Sequence, residues 1–81
     1  MGIKIDIDLA DDIARDPGAA TIRERRAAFF WLDRHLEQFE ANQDTSPPRH
    51  ELRRYRLAHH RLQVWRDLSR RRPALQAAEA R

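Results

Sequence analysis

The four histidines of this 81-residue chain are the residues best suited to bind a metal ion or to move a proton. A metal site requires ligands that converge, such as two histidines one helical turn apart with a carboxylate beside them. His35 has aromatic residues one turn before and one turn after it, so it has no such partner. His59 and His60 are adjacent, and on a helix their side chains point about 100° apart. We therefore expect no metal site, with His59 at the edge of a core.

Nucleophilic catalysis needs a serine, threonine or cysteine beside a base and an orienting group. Thr21, Thr45 and Ser46 stand where helices are expected to begin, and their hydroxyls suit helix capping better. The neighbouring carboxylates Asp11 and Asp12 fit a helix N-terminus, where the helix dipole favours acids. The chain has two glycines, too few for a glycine-rich phosphate loop. We expect a protein that is not an enzyme and uses no cofactor.

Arginine accounts for fifteen of the sixteen basic residues, and most of these lie in the second half of the chain. On a helix, five cationic positions form one solvent-facing stripe: Arg49, Arg53, Arg56, His60 and Arg71. Such a stripe can contact the phosphate backbone of a duplex, because each contact releases counterions. Tyr55 and Trp65 are expected on the core side, so single strands would find no stacking platform. The alternative is a solvated face whose cations interact with the helix dipole.

The formal net charge of +3 conceals an asymmetry between the two halves of the chain. Residues 1–46 carry ten acids and six bases, whereas residues 47–81 carry three acids and ten bases. Either the two halves face each other, or the basic half faces an acidic partner. The absence of cysteine excludes disulfides and thiolate sites, which leaves a partner as the expected source of extra stability.

The N-terminal region combines a strand pattern with a helix pattern. Residues 3–7 alternate isoleucine with charged residues, which is typical of a half-buried strand. A short helix is expected over residues 9–15, before the break at Pro17 and Gly18. Thr21 and Glu24 form a capping-box pattern that predicts the start of a longer helix.

The rest of the chain predicts a mainly α fold built on an antiparallel helical hairpin. Its helices are expected at about 22–42 and 47–71, with a short proline turn between them. Pro73 is expected to end the second helix. The domain assignment is a single helical domain over 1–72 followed by a frayed tail over 73–81.

Each hairpin helix has more apolar residues than one packed face can bury. Two packed helices bury one stripe each, so a second stripe requires another surface. The residues expected to form that contact surface are Phe30, Trp31, Leu57, Val64 and Leu68. We expect a homodimer or higher homo-oligomer, in its simplest form a dimeric four-helix bundle. The alternative is that the N-terminal strand and the tail fold back over the stripe within one chain.

The function that these features favour is a small, non-catalytic protein-interaction or regulatory protein, such as an accessory subunit, an antitoxin-like inhibitor or an assembly factor. It would act through an apolar helical face with arginines at its rim. The alternative is a dimeric nucleic-acid-binding protein that uses the basic second helix. The first residues lack the pattern of a secretion signal, and no stretch is apolar enough to span a membrane. We therefore expect a cytoplasmic protein without a membrane partner.

Overall fold

The fold is mainly helical, as the sequence predicts. A computed structural model of the chain describes residues 4–79, with side chains up to residue 70. Within that range the protein forms three α-helices and two short 3-10 turns, and no strand. In chain order these are α1 (Ile7–Arg15), a turn (Pro17–Ala19), α2 (Ile22–Ala41), a turn (Gln43–Thr45) and α3 (Arg49–Glu79).

The strand predicted over residues 3–7 is wrong for the part of it that is described. Residues 4–6 have no regular structure, and Ile7 is already the first residue of α1. Asp6 caps this helix, because its side chain accepts a hydrogen bond of 2.8 Å from the backbone N–H of Leu9. The helix therefore begins two residues before the predicted 9–15 segment. Ile3 lies outside the described residues.

The predicted capping box at the start of α2 is confirmed. The Thr21 hydroxyl accepts a hydrogen bond of 3.1 Å from the Glu24 N–H, and Glu24 in turn accepts one of 3.0 Å from the Thr21 N–H. The hydrogen bond that the Thr21 backbone N–H donates to the Glu24 carboxylate is the main cause that lowers the pKa of Glu24 from its usual value of 4.5. The helix ends at Ala41, close to the predicted boundary.

α3 begins and ends later than the sequence predicts. It starts at Arg49, where the Pro48 carbonyl accepts hydrogen bonds from the N–H groups of Glu51 and Leu52. It continues to Glu79 instead of ending near residue 71, so Pro73 does not terminate it. The residues after Pro73 include alanine, leucine, glutamine and glutamate, which are strong helix formers.

Every pair of the three helices is in contact, and the core lies where they meet. Seven apolar side chains are buried there: Ala10, Ile13, Ala14, Ala28, Leu32, Ala58 and Leu62. Four of them are alanines, which allow the helix backbones to approach closely around the larger side chains. α1 is thus a full member of the fold, and not a separate element beside two long helices.

Ion pairs join the acidic α1 to the basic α3. Asp11 is buried, and its carboxylate lies 3.1 Å from Arg15 and 3.5 Å from Arg54. Arg54 also pairs with Asp8 at 2.9 Å, and this hydrogen bond is the main cause that raises the pKa of Arg54. The pairs show that part of the charge asymmetry is satisfied within the chain, between α1 and α3.

Arg25 holds the connection between α1 and α2 in place. Its Nη1 donates hydrogen bonds of 2.8 Å to the Pro17 carbonyl and 2.6 Å to the Ala20 carbonyl. Its guanidinium lies 5.7 Å from the centroid of the Trp65 ring on α3. The role of Arg25 is therefore structural.

None of the helices among residues 4–79 combines the length and the apolar character that a membrane crossing requires.

Candidate interaction surfaces

Trp31, one of the predicted contact residues, belongs largely to an aromatic cluster between α2 and α3. Its ring centroid lies 4.0 Å from that of His35 and 5.6 Å from that of Tyr55. Phe39 closes the cluster with an edge-to-face contact of 5.2 Å to Tyr55. Burial in this cluster is the main cause that raises the pKa of Tyr55 above its usual value of 10.0. Trp31 is half-buried, so one part of it holds the two helices together and another part faces outward.

Phe30, the next predicted contact residue, lies on the opposite side of α2 from the core. It is 62% exposed, the most exposed large apolar side chain among the described residues. The Arg34 guanidinium lies 5.7 Å from its ring centroid. Both residues line a shallow groove together with Ala27, Trp31 and Glu37. We call this surface the α2 face.

The other three predicted contact residues form a stripe along α3. The exposed fractions of these side chains are 43% for Leu57, 42% for Val64 and 57% for Leu68, and none of the three belongs to the buried core. Their spacing of seven and four residues keeps them on one side of the helix. Leu57 also lines a groove between α1 and α3, with Arg54 and Arg61 beside it. We call this surface the α3 stripe.

The five predicted contact residues are thus divided between two surfaces. Phe30 and Trp31 line the groove on α2, whereas Leu57 lines the groove between α1 and α3. These two grooves share no lining residue. The sequence-based prediction of one contact surface considered the two long helices as a pair. It did not include α1, which packs against both of them.

Four of the five predicted nucleic-acid-binding positions are exposed side chains on α3. These positions are Arg49, Arg53, Arg56 and His60. Within the described part of the chain, none of them has an ion-pair partner. The side chain of Arg71 lies outside the described residues. The neighbouring Arg54 contrasts with these four, because it is paired with two aspartates of α1.

Two of the four histidines, His35 and His59, take part in helix packing. His59 is half-buried, stacks on Phe29 with a centroid distance of 4.7 Å, and lies 3.2 Å from the Asp33 carboxylate. The Nδ1 atom of His35 donates to the Trp31 carbonyl at 2.8 Å. Among the residues whose positions are described, no three histidine, aspartate or glutamate side chains converge as metal ligands would.

Sequence reasoning missed three exposed residues of α2. Ile22 is 55% exposed at the start of this helix. Arg26 and Glu37 flank Phe30 on the α2 face, and both are exposed. Their separation of eleven residues, close to three helical turns, is the signal that could have placed them on one side of the helix.

No family model matches the chain, and neither a curated protein nor a solved structure is significantly similar to it. The two surfaces and their charges are therefore the features from which a function can be inferred.

Proposed function

We propose that this chain is a small, non-catalytic protein-interaction protein that associates with itself and with a protein partner. It would serve as an accessory subunit, an antitoxin-like inhibitor or an assembly factor. The observation that carries the proposal is the α3 stripe. Three aliphatic side chains stay about half exposed there while the three-helix core is closed without them. Apolar side chains aligned on one helix side mark contact surfaces more often than isolated exposed residues do.

The charges around the α3 stripe favour a partner with an acidic contact surface. Arg53 and Arg61 lie one helical turn before and after Leu57, at the positions that would rim an interface centred on the stripe. Neither arginine has an ion-pair partner in the described part of the chain. Carboxylates on the partner would meet these guanidinium groups, and apolar side chains would cover the leucines.

The contacts between α2 and α3 support the antiparallel hairpin in this proposal. Arg25, near the start of α2, contacts Trp65, and Phe39, near its end, contacts Tyr55. Contacts in this order are those of antiparallel neighbours. Two such units, each with its own α1, would form a homodimer that acts in the cytoplasm.

The test is sedimentation equilibrium of the full chain over a range of concentrations, with and without paired substitutions on both surfaces. We expect a reversible dimer for the original sequence and a monomer for the Phe30→Glu/Leu68→Glu variant. Gln63→Glu, an exposed change on α3 outside the stripe, is the matched control and should leave the dimer intact. A monomer for the original sequence, with circular dichroism showing it folded, would contradict the self-association in this proposal.

Nucleic-acid binding is the second candidate, and one observation favours it. Arg49, Arg53, Arg56 and His60 are exposed and have no ion-pair partner in the described chain, so they are free to meet phosphates. If this function holds, Arg53→Glu with Arg56→Glu should abolish duplex binding while the oligomer persists. Affinity should also fall steeply with salt, because each phosphate contact releases counterions. An affinity that does not change with salt would contradict it.

A further inference from the structure

We infer that the α2 face binds a second copy of this chain, with the two α2 helices antiparallel. The inference rests on the proposed self-association and names the surface that performs it. Phe30 marks the face, since it is the most exposed large apolar side chain that the structure describes and it points away from the core. The occupant follows from how charges are arranged around that side chain.

Arg26 and Glu37 give this face a charge pattern that complements itself. They are eleven residues apart, which places them within about 20° of each other around the helix. Both lie within about 40° of Phe30 by the same count. Both are exposed, and neither has an ion-pair partner within the described part of the chain. Opposite charges therefore flank the same apolar side chain, toward opposite ends of α2.

A two-fold axis midway between these two residues satisfies both charges at once. In an antiparallel pair, Arg26 of each copy then lies opposite Glu37 of the other copy. A parallel pair would instead place Arg26 against Arg26 and Glu37 against Glu37, which is unfavourable. The charges therefore favour one direction and one register.

The same axis brings the two copies of Phe30 together. Phe30 lies one and a half residues from the midpoint, so the two rings are offset by about 4.5 Å along the helix axis at 1.5 Å rise per residue. That offset suits a stacked or edge-to-face aromatic pair, for which centroids are about 4.5–7 Å apart. The two Phe30 rings would then lie at the centre of the contact, each with the Arg34 guanidinium of its own copy beside it, and an Arg–Glu pair would lie on each side.

The α3 stripe lacks this self-complementary pattern. Between Arg49 and Arg70, α3 carries seven arginines and two acids, Glu51 and Asp67. Pairing two copies of this helix in either direction would bring mostly like charges together. The stripe is therefore better suited to the acidic partner described above, and the α2 face to a second copy.

A charge exchange at two positions tests the inference. The dimer dissociation constant of the full chain is measured by sedimentation equilibrium, and circular dichroism verifies that each variant is folded. Arg26→Glu and Glu37→Arg should each weaken the dimer about tenfold, because both symmetry-related pairs become repulsive. The double exchange Arg26→Glu/Glu37→Arg should restore the dissociation constant to within about threefold. Phe30→Glu should abolish the dimer, and Leu68→Glu, the matched apolar control on α3, should leave it unchanged.

The outcomes separate this inference from the broader proposal. If Leu68→Glu dissociates the dimer while Phe30→Glu does not, the assignment to α2 is wrong but self-association stands. If the single exchanges weaken the dimer and the double exchange does not restore it, the antiparallel register is wrong. If the original sequence is a folded monomer at every concentration, both the inference and the proposed self-association fail. The charge exchanges keep the test decisive even if Phe30→Glu does not fold.

Discussion

Replacing Leu32 by alanine would test the three-helix core most severely. Leu32 is the largest fully buried side chain among the described residues, at 0% exposure. The cluster around it consists largely of alanines, including Ala28 and Ala58, which are too short to fill the space that it would leave. A cavity would therefore persist in the variant, and its cost would add to the transfer free energy of the lost methyl groups.

Because Leu32 is fully buried, we expect its replacement by alanine to lower the free energy of unfolding by about 3–4 kcal/mol, as for other well-packed leucines. A chain of this length has a total of roughly 4–12 kcal/mol, so the loss is a large fraction. At roughly 4–8 °C per kcal/mol for a domain of this size, the midpoint should fall by about 12–30 °C. Urea unfolding followed by far-UV circular dichroism measures the change directly, with an unchanged dependence on urea as the sign that the fold is kept.

Leu68→Ala is the matched control, because it makes the same chemical change on α3 at a side chain that is 57% exposed. Its expected cost is below about 0.5 kcal/mol. If Leu32→Ala costs less than about 1 kcal/mol, or no more than Leu68→Ala, the description of the core is refuted.

Three further predictions concern the core, the cap and the aromatic cluster. Ala28→Leu should overpack the point where the helices meet and lower the free energy of unfolding by about 1–3 kcal/mol, measured by urea unfolding. Because the pKa of Glu24 is lowered in the fold, the capping box stabilises the protein above pH 4.5 and loses that effect as the pH falls through the lower folded value. Glu24→Gln should therefore flatten the acid side of a stability–pH curve, because it removes the carboxylate that titrates, and an unchanged curve would count against the cap. The raised pKa of Tyr55 means that the folded state keeps its proton longer than the unfolded state, so stability should decline above pH 10.0. Tyr55→Phe should remove that part of the alkaline decline, as unfolding at several alkaline pH values would show.

The elements that depend on local signals were predictable from the sequence. The start of α2 is determined by Thr21 and Glu24, which are three residues apart and bond to each other. The strand predicted over residues 3–7 was wrong for residues 4–7, because a local pattern was again decisive. The same five alternating residues are also compatible with a short irregular segment followed by a helix. Asp6 ends that segment, because it caps α1. Only the packing of α1 on the other helices distinguishes these two structures.

Features that depend on distant residues could not be predicted. Asp11 was expected at a helix N-terminus, yet it is buried, and Arg54, 43 residues later, lies 3.5 Å from its carboxylate. The division of the predicted contact residues into an α2 face and an α3 stripe has the same origin. It depends on the position of α1, and no local pattern indicates that α1 contacts both long helices. Exposure at Phe30 and Leu68 was predictable, because both lie outside the core periodicity.

Light scattering behind a sizing column, at low and at high salt, shows whether the chain associates with itself. Absorbance recorded at the same time reports whether nucleic acid is present. We expect a species free of nucleic acid, at twice the 9.6 kDa mass of one chain, under both conditions. A monomer at both salt concentrations, or a species whose nucleic acid is removed by salt, would contradict this expectation and favour the arginines of α3 as the functional surface.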